Sequence, residues 1–320
     1  MRSEELPRLP PPPDEAVTRA FFPGFTSEMV ETSGATIRTL RGGNGPPLLL
    51  LHGHPQTHVC WHKIAAPLAE HFTVVLTDLR GYGDSSKPAG GERSVNYSPR
   101  AMARDQLEVM RHFGFERFGV AGHDRGGRVA HRMALDFPAA ISRIAVLDIA
   151  PTLTMYRQTN QEFATRYVWW FFQIQAYPIP EHLIGMDPEF YLREHVGRQN
   201  KTPGAIGDAA LAEYLRCYCA TATIHALCED YRAAAGIGLE LDASDERDRR
   251  KIVAPLLALW GAKGVVGQLY DVLETWRARA TDVRGMALDC GHLLPEEQPA
   301  RTLQELMEFF SSTHQPGNTV

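Results

Sequence analysis

Short, continuous apolar runs alternate with longer amphipathic segments along most of the chain. Strands of a mostly parallel sheet with helices on both faces give this pattern. It predicts two short strands within 28–41, around the turn at Ser33-Gly34, and six further strands that are buried. The six buried runs are 47–52, 72–78, 118–121, 144–147, 256–260 and 283–288.

A helical segment precedes the third buried run. Residues 98–113 begin with a serine and a proline and then carry apolar side chains at helical spacing, which predicts a helix. The positions expected to be buried in it are Met102, Leu107, Val109 and Met110.

The alternation stops between Pro151 and about Ala235, where the chain is rich in aromatic residues and helical patterns. We interpret this stretch as a helical cap inserted between two strands of the sheet. Because ligands in open α/β sheets bind beyond the carboxyl ends of the strands, such a cap would cover the binding site. The strongly charged segment 242–251 is expected to form a solvated loop or helix.

These patterns divide the chain into four parts. The first is a flexible, proline-rich leader over 1–20, and the last is a C-terminal tail over 313–320. Between them we expect an α/β core over 21–150 and 236–312, interrupted by the helical cap over 151–235.

Composition adds little to this picture. The 320 residues carry a net charge of −5, with 44% hydrophobic and 22% charged residues, which is ordinary for a globular protein. This charge gives no reason to expect nucleic acid or a membrane surface as a partner. The N-terminal residues contain no long apolar run, and the five cysteines form no C-x-x-C pair. We therefore expect reduced thiols and a cytoplasmic location.

The most informative motif is the turn Gly122-His-Asp-Arg-Gly126, which follows the apolar run 118–121 and precedes a helix. Serine hydrolases carry their nucleophile on a strained strand-to-helix turn of the pattern G-x-S-x-G. Here the tip of the turn is Asp124 instead of a serine. A carboxylate oxygen can displace a leaving group from saturated carbon and form an ester, so Asp124 is a candidate nucleophile.

Two partners for this acid follow other predicted strands. His292 comes directly after the run 283–288 and is a candidate base that activates water, and Asp148 follows the run 144–147 and would orient the imidazole. After the run 256–260, the usual alternative place for this acid, the chain has no carboxylate. The simpler alternatives are a turn or cap role for Asp148 and a surface position for His292.

The turn at residues 52–55, His-Gly-His-Pro, lies opposite the first turn in the predicted sheet. The backbone N–H groups of His54 and Arg125 are candidate donors to a single oxyanion. His52, His54, His58 and His62 also raise the question of a metal site, but no H-E-x-x-H motif accompanies them. The sequence predicts no bound metal.

Together these motifs carry a family resemblance. The chain resembles the α/β-hydrolase-fold dehalogenases and epoxide hydrolases, and most closely the haloacetate (fluoroacetate) dehalogenases, from about Phe22 to Phe310. The residues that carry it are 52–57, 78–83, 122–128, 228–232 and 291–297. Each motif alone is weak, but their order and spacing together are specific.

The resemblance implies an α/β-hydrolase fold, with an eight-stranded sheet and a cap after the sixth strand. It implies an Asp-His-Asp triad, which matches Asp124, His292 and Asp148. It also implies a small-molecule 2-haloacid as substrate, no cofactor and a homodimer.

The residue after the candidate nucleophile distinguishes the branches of this family. It is Arg125 here, and Arg128 follows one helical turn later. Two guanidinium groups suit a substrate that has its own carboxylate, because they bind it through forked hydrogen bonds and offset the repulsion between two anions. The alternative for Arg128 is an ion pair with a structural acid such as Glu229 or Asp230.

The resemblance further implies that cap residues bind the departing halide. They are Tyr231 and the pair Trp169-Trp170, where the family has His-Trp. An indole donates one N–H but cannot become cationic. Because fluoride is a poor leaving group, we expect chloro- and bromoacetate to react more readily than fluoroacetate. The alternative for both tryptophans is packing within a cap helix.

Three other functions remain open. An epoxide hydrolase would use the same Asp124–His292 machinery with cap phenols to protonate the oxygen, and the cap tyrosines are Tyr156, Tyr167, Tyr177, Tyr214, Tyr218 and Tyr231. Arg125 disfavours an epoxide or a haloalkane, because neither carries a charge for a guanidinium group to bind. A non-catalytic ligand receptor would have no need of the complete triad.

Overall fold

Eight strands form a single sheet in the computed structural model, which describes residues 8–312. The strands are β1 (Thr26–Glu31), β2 (Thr36–Gly42), β3 (Pro47–Leu51), β4 (Thr73–Thr77), β5 (Phe118–His123), β6 (Ile141–Leu147), β7 (Leu256–Gly261) and β8 (Val283–Leu288). Their order in the sheet is β1-β2-β4-β3-β5-β6-β7-β8. Strand β2 pairs antiparallel with β1 and β4, and the other pairings are parallel. The predicted fold class, a mostly parallel eight-stranded sheet flanked by helices, is confirmed.

Helices account for most of the rest of the described chain. The α-helices are α1 (Glu15–Phe21), α2 (His62–Ala69), α3 (Pro99–His112), α4 (Arg125–Asp136), α5 (Thr152–Arg157), α6 (Gln161–Arg166), α7 (Val168–Phe172), α8 (Ile179–Met186), α9 (Pro188–Gln199), α10 (Asp208–Tyr218), α11 (Thr221–Ala233), α12 (Leu239–Arg247), α13 (Val265–Leu269), α14 (Val272–Arg277), α15 (Leu294–Glu297) and α16 (Pro299–Ser311). No helix within residues 8–312 has the length and apolar character needed to cross a bilayer.

The centre of the sheet positions the site. Strand β3 lies between β4 and β5, and the order of the strands reverses at this point. Leu51 at the end of β3 pairs with Gly122 near the end of β5, so the loops after these two strands leave the sheet side by side. Helix α4, which follows β5, packs against β3, β5 and β6. The crevice beyond the carboxyl ends of such strands is where open α/β sheets bind ligands.

One predicted buried strand is not buried. Strand β8 lies at the edge of the sheet with β7 as its only neighbouring strand, and three of its six residues are exposed. The prediction of a buried strand over 283–288 is therefore wrong in its burial, because an edge strand is covered less completely than a central one. The predicted helix over 98–113 is observed as α3, and its four expected buried residues are buried.

The helices α5 to α12 lie between β6 and β7 in the chain, and we call this helical insertion the cap. The expected end of the cap at 235 falls inside a π-helical segment, Ala234–Gly238, which continues directly into α12. Helix α12 is held against the core because Asp245 accepts a hydrogen bond from Arg132 of α4. The helical insertion therefore runs on to Arg247, and the first half of the charged segment 242–251 belongs to it.

The leader contains a helix and contacts the cap over the part that the structure describes. Helix α1 begins after Asp14, whose carboxylate accepts a hydrogen bond from the backbone N–H of Ala16. Arg8 donates its backbone N–H to Thr221 Oγ1 at 2.7 Å and accepts from the N–H of Ala222 at 3.0 Å, both at the start of α11. Arg8 therefore contacts the cap, and the flexibility of residues 8–20 stays a prediction. The expectations for residues 1–7 and for the tail lie outside the described residues.

Candidate active site

The turn between β5 and α4 holds Asp124 in a strained conformation, with φ 46° and ψ −113°. Close packing makes the two glycines of this turn necessary. A Cβ at Gly122 would lie 2.4 Å from the carbonyl oxygen of Gly126, and one at Gly126 would lie 2.4 Å from the carbonyl oxygen of His52. A non-glycine residue with positive φ is uncommon and occurs where the surroundings hold it in place.

The two oxygens of Asp124 have different surroundings. Oδ1 accepts a hydrogen bond from the backbone N–H of His54 at 3.0 Å. Oδ2 lies 3.7 Å from Nε2 of His292. The structure therefore brings the first predicted oxyanion donor, at residue 54, to the carboxylate. The second, the N–H of Arg125, lies at the start of α4, and its role stays a prediction.

His292 is bound by Asp148, as the order of motifs predicts. Nδ1 of His292 donates to Oδ2 of Asp148 at 2.5 Å, and Oδ1 of Asp148 accepts from the N–H of Gly261 at 2.9 Å. Burial alone would lower the pKa of His292, but the hydrogen bond and the charge of Asp148 raise it above its ordinary value. Burial alone would raise the pKa of Asp124, but the charges of His292 and Arg128 bring it well below its usual range. The geometry therefore favours a carboxylate beside a basic imidazole.

The loop that carries His292 is bonded to the cap. The backbone N–H of His292 donates to the carbonyl oxygen of Gln199, at the end of α9, at 3.1 Å. Glu297, in the same region as His292, accepts from the backbone N–H of Lys201 at 2.8 Å. His123, next to Asp124, donates from Nε2 to the carbonyl oxygen of His292 at 2.7 Å. These bonds join the cap, the base and the strained turn into one continuous unit.

Arg125 is neutralised within the protein. Its Nε donates to Oδ2 of Asp230 at 2.8 Å, and its Nη2 donates to Oδ1 of the same carboxylate. Both side chains are buried. The expectation that Asp230 or Glu229 could pair with Arg128 is wrong, because Asp230 binds Arg125 and Glu229 binds Arg232.

Arg128 has no carboxylate partner among residues 8–312. Its Nη1 donates to the carbonyl oxygen of Ala150 at 3.1 Å and to Oγ1 of Thr152 at 2.8 Å, and its Nη2 contacts Sδ of Met155. The residue is 5% exposed. A buried cation is costly unless a counter-charge offsets it. Arg128 is therefore the group best suited to bind an anion that comes from outside the protein.

Two of the three aromatic residues predicted for halide binding lie against these arginines. The guanidinium carbon of Arg128 lies 4.7 Å from the ring centre of Trp170, and that of Arg125 lies 4.7 Å from the ring centre of Tyr231. Trp169 is also buried but contacts different groups, and its ring centre lies 4.5 Å from that of His195. The structure therefore places Trp170 and Tyr231 beside the predicted carboxylate site. It places Trp169 against His195 instead.

A cavity of about 180 Å³ reaches two of the predicted catalytic residues, Asp148 and His292, whereas Asp124, Arg125 and Arg128 are not among its lining residues. Its lining residues come from the cap and from the loops after β6, β7 and β8, and they are Asp148, Arg166, Tyr167, Trp169, Arg198, Gln199, Lys201, Gly264, Val265 and His292. Three of them, Arg166, Arg198 and Lys201, carry positive charge. A cavity with this lining favours an anionic ligand.

Sequence reasoning named Asp230 only as a possible partner of Arg128 and missed His195 altogether. Asp230 lies next to Tyr231 in a motif that the resemblance uses, so its acidic character beside a predicted site residue was the available signal. His195 lies in α9, among charged and polar residues of a cap helix, and no motif marks it.

Comparison with known proteins agrees with the geometry. The model of the alpha/beta hydrolase fold family matches residues 46–299. Fluoroacetate dehalogenase from Burkholderia sp is 43% identical over 292 residues, which cover 91% of this chain and 95% of that protein. Soluble epoxide hydrolase from Corynebacterium sp. (strain C12) is 32% identical over 308 residues, which cover 90% of this chain and 98% of that protein.

A solved structure of ALR0039 from Nostoc sp PCC 7120, described provisionally as an alpha/beta hydrolase, superimposes with a TM-score of 0.90 at 56% identity. The match covers 92% of this chain and 100% of that one. The chain belongs to the α/β-hydrolase fold family. Within that family it belongs to the haloacetate dehalogenases, and the resemblance predicted from the motifs is confirmed.

Proposed function

We propose that this protein is a hydrolytic dehalogenase that converts a 2-haloacid, such as a haloacetate, into the 2-hydroxy acid and halide without a cofactor. The observation that carries the proposal is the placement of Asp124. One of its oxygens is bonded to a backbone N–H, the other lies 3.7 Å from His292, and a buried arginine without a carboxylate partner among the described residues stands one helical turn away.

In the first step, Asp124 attacks the α-carbon of the bound 2-haloacid. The carbon–oxygen bond forms as the carbon–halogen bond breaks, and the electron pair of that bond leaves with the halide. Arg128, with the remaining donor group of Arg125, binds the substrate carboxylate and offsets the repulsion between the two anions. Trp170, Tyr231 and Trp169 line the side on which the halide departs.

In the second step, His292 removes a proton from water, and the resulting hydroxide attacks the carbonyl carbon of the Asp124 ester. Negative charge develops on the oxygen that the N–H of His54 already contacts. Asp148 stabilises the imidazolium form of His292. The ester carbon–oxygen bond of the tetrahedral intermediate then breaks while the imidazolium of His292 protonates the departing oxygen, which releases the 2-hydroxy acid. The carboxylic acid formed at Asp124 loses its proton to solvent and is a carboxylate again.

Charge supports a 2-haloacid over a neutral substrate. The buried Arg128 and the cationic lining of the cavity both suit a substrate that carries a carboxylate. The fluoroacetate dehalogenase relative, at 43% identity, supports the same reaction class. A homodimer and a cytoplasmic location stay predictions, and light scattering by the purified protein tests the first.

Epoxide hydrolysis is the second candidate. The epoxide hydrolase relative covers nearly the whole chain, and the phenol ring of Tyr231 lies beside His54 at a centroid distance of 5.3 Å. This reaction uses the same nucleophile and base but leaves the charge of Arg128 without a function.

Isotope labelling tests the proposed route. In a single turnover with chloroacetate in ¹⁸O-water, the label enters the carboxylate of Asp124, and the first hydroxy acid released is unlabelled. His292→Asn accumulates the ester, seen as an added carboxymethyl group on the peptide that contains Asp124, while the peptide containing Asp148 serves as an internal control. Label found at once in the hydroxy acid contradicts the ester route. A small epoxide and a 1-haloalkane, assayed in parallel, decide between the substrate classes.

A further inference from the structure

His54, whose backbone N–H binds Asp124, and two side chains packed against its ring have polar atoms without a hydrogen-bond partner among residues 8–312. They are His54, at both ring nitrogens, His195, at Nε2, and Tyr218, at the hydroxyl, and all of these atoms are buried. We call these residues the His54–His195–Tyr218 cluster. A buried polar group without a partner destabilises the fold, because it has lost its hydrogen bonds to water. Several of them together beside a reactive carboxylate indicate a place where a polar guest supplies the missing partner.

The cluster joins two residues predicted to bind the halide. The ring centre of His54 lies 4.8 Å from that of His195, 5.9 Å from that of Tyr218 and 5.3 Å from that of Tyr231. On its other side, His195 lies 4.5 Å from Trp169. The four rings of Tyr231, His54, His195 and Trp169 therefore form a continuous wall beside the carboxylate, with unpartnered imidazole nitrogens at its middle.

Burial favours the neutral form of both imidazoles in this wall. Burial lowers the pKa of His54 well below its ordinary value, with His195 as a further cause, and burial lowers the pKa of His195 to about 3. A neutral imidazole offers one N–H donor and one acceptor nitrogen. Neutral donors stabilise a small anion as it forms but bind it less tightly than a cation would, which allows its release. Fluoride, the smallest halide and the one that accepts the strongest hydrogen bonds, gains most from such donors.

We propose that His195, together with His54, donates hydrogen bonds to the departing halide and thereby raises the turnover of fluoroacetate relative to bromoacetate. The inference rests on the dehalogenase function proposed above and adds residues to its leaving-group site. The carbon–halogen bond breaks with its electron pair on the halogen, and the imidazole N–H bonds to this anion without losing its proton. A neutral donor in addition to the N–H of Trp169 comes in this way from another cap helix, α9.

Two substitutions at His195 distinguish a role as hydrogen-bond donor from a role in packing alone. His195→Phe keeps a ring and removes the donor, and His195→Asn restores an N–H. We expect His195→Phe to lower the ratio of kcat/KM for fluoroacetate to kcat/KM for bromoacetate by about tenfold. The value for bromoacetate itself should change by less than about threefold. His195→Asn should recover part of the ratio. His131→Phe is the matched control, because His131 is also buried with an unpartnered Nε2 but packs against Trp276.

Halide binding gives a readout that does not depend on turnover. Fluoride should perturb the tryptophan fluorescence of the wild-type protein, and His195→Phe should lose this effect while it keeps the response to bromide. Equal losses with both haloacetates, or a fluoride response unchanged in His195→Phe, overturn the inference and leave His195 a packing residue. If the wild-type protein turns over neither haloacetate, the proposed function fails, and the fluoride titration still decides whether the cluster binds the ion.

Discussion

The buried guanidinium of Arg125 is held by the buried carboxylate of Asp230, through hydrogen bonds from both Nε and Nη2. These residues are 105 positions apart in the chain and connect the start of α4 with cap helix α11. Arg128, three residues further along α4, has only neutral partners among the described residues. The two arginines that the sequence presents as equivalent therefore have different functions. Arg125 connects core and cap and keeps one donor group, Nη1, for a ligand, whereas Arg128 keeps its whole charge for one.

This difference predicts that removing Arg128 mainly lowers activity, whereas removing Arg125 mainly lowers stability. Arg128→Met should lower kcat/KM for chloroacetate by about 10- to 100-fold, because a charge-assisted hydrogen bond is worth about 1.5–3 kcal/mol. Its free energy of unfolding should change by less than about 1 kcal/mol, since no carboxylate loses its partner. Halide release and urea unfolding measure the two effects.

Arg125→Met should instead destabilise the protein by about 3–5 kcal/mol, because it leaves the carboxylate of Asp230 buried without its counter-charge. Adding Asp230→Asn should recover part of that loss, since the amide needs no cation. Equal losses of stability in the Arg125 and Arg128 variants would contradict the division of functions.

The pair formed by His292 and Asp148 predicts a shift in the pH profile. Asp148 raises the pKa of His292, and only the neutral imidazole can take a proton from water. In Asp148→Asn burial still acts, so the pKa of His292 falls and the acid limb of the rate of ester hydrolysis moves to lower pH, while the plateau rate drops. The amide keeps an acceptor for the N–H of Gly261. Asp271→Asn, at the N-terminus of α14, is the control and should leave the limb in place.

Glu296 predicts a second pH effect, on stability. It is buried between Tyr214 and Gln56, and burial raises its pKa from 4.5 to about 8. The folded protein therefore holds a proton that the unfolded chain has lost, so the free energy of unfolding falls as pH rises from about 5 to 8. Glu296→Gln should remove roughly 1 kcal/mol per pH unit from this slope, as measured by urea unfolding. The exposed Glu70→Gln is the control, and an unchanged slope in Glu296→Gln would contradict the assignment.

The cationic cavity predicts a salt effect that depends on the charge of the substrate. Arg198 and Lys201 should increase the capture rate of haloacetate by long-range attraction. We expect kcat/KM for chloroacetate to fall a few-fold between low ionic strength and about 0.15 M salt, where the screening length is about 8 Å. Lys201→Gln should reduce this dependence. Lys251→Gln is the control, because Lys251 also binds a carbonyl oxygen, and it should leave the salt dependence unchanged. With a neutral 1-haloalkane as substrate, kcat/KM should not depend on salt.

The sequence alone predicted the features that local patterns of residues determine. The apolar runs predicted six strands, the segment 28–41 with its turn at Ser33-Gly34 predicted the other two, and the glycine-framed turn predicted the setting of Asp124. The order of motifs also predicted that His292 and Asp148 would meet after β8 and β6, because parallel strands end at one edge of the sheet. These features depend on short segments and on the regular geometry that joins them.

The remaining features depend on contacts between distant parts of the chain. Nothing in the sequence around Arg125 indicates that Asp230 binds it, and His195 resembles any polar residue of a surface helix until the cap folds over β3. The end of the cap was also missed, because the charges that suggest a solvated segment are used by Arg132 to dock α12. Tertiary packing decides which charged residues pair in α/β proteins with large insertions. The periodicity of a sequence does not contain this information.

The hydrogen bond from the backbone of His292 to Gln199 has a consequence for the catalytic base. A movement of the cap that stretched this bond would also shift the loop that carries the imidazole relative to Asp148. We therefore expect the position of the base to depend on the position of the cap.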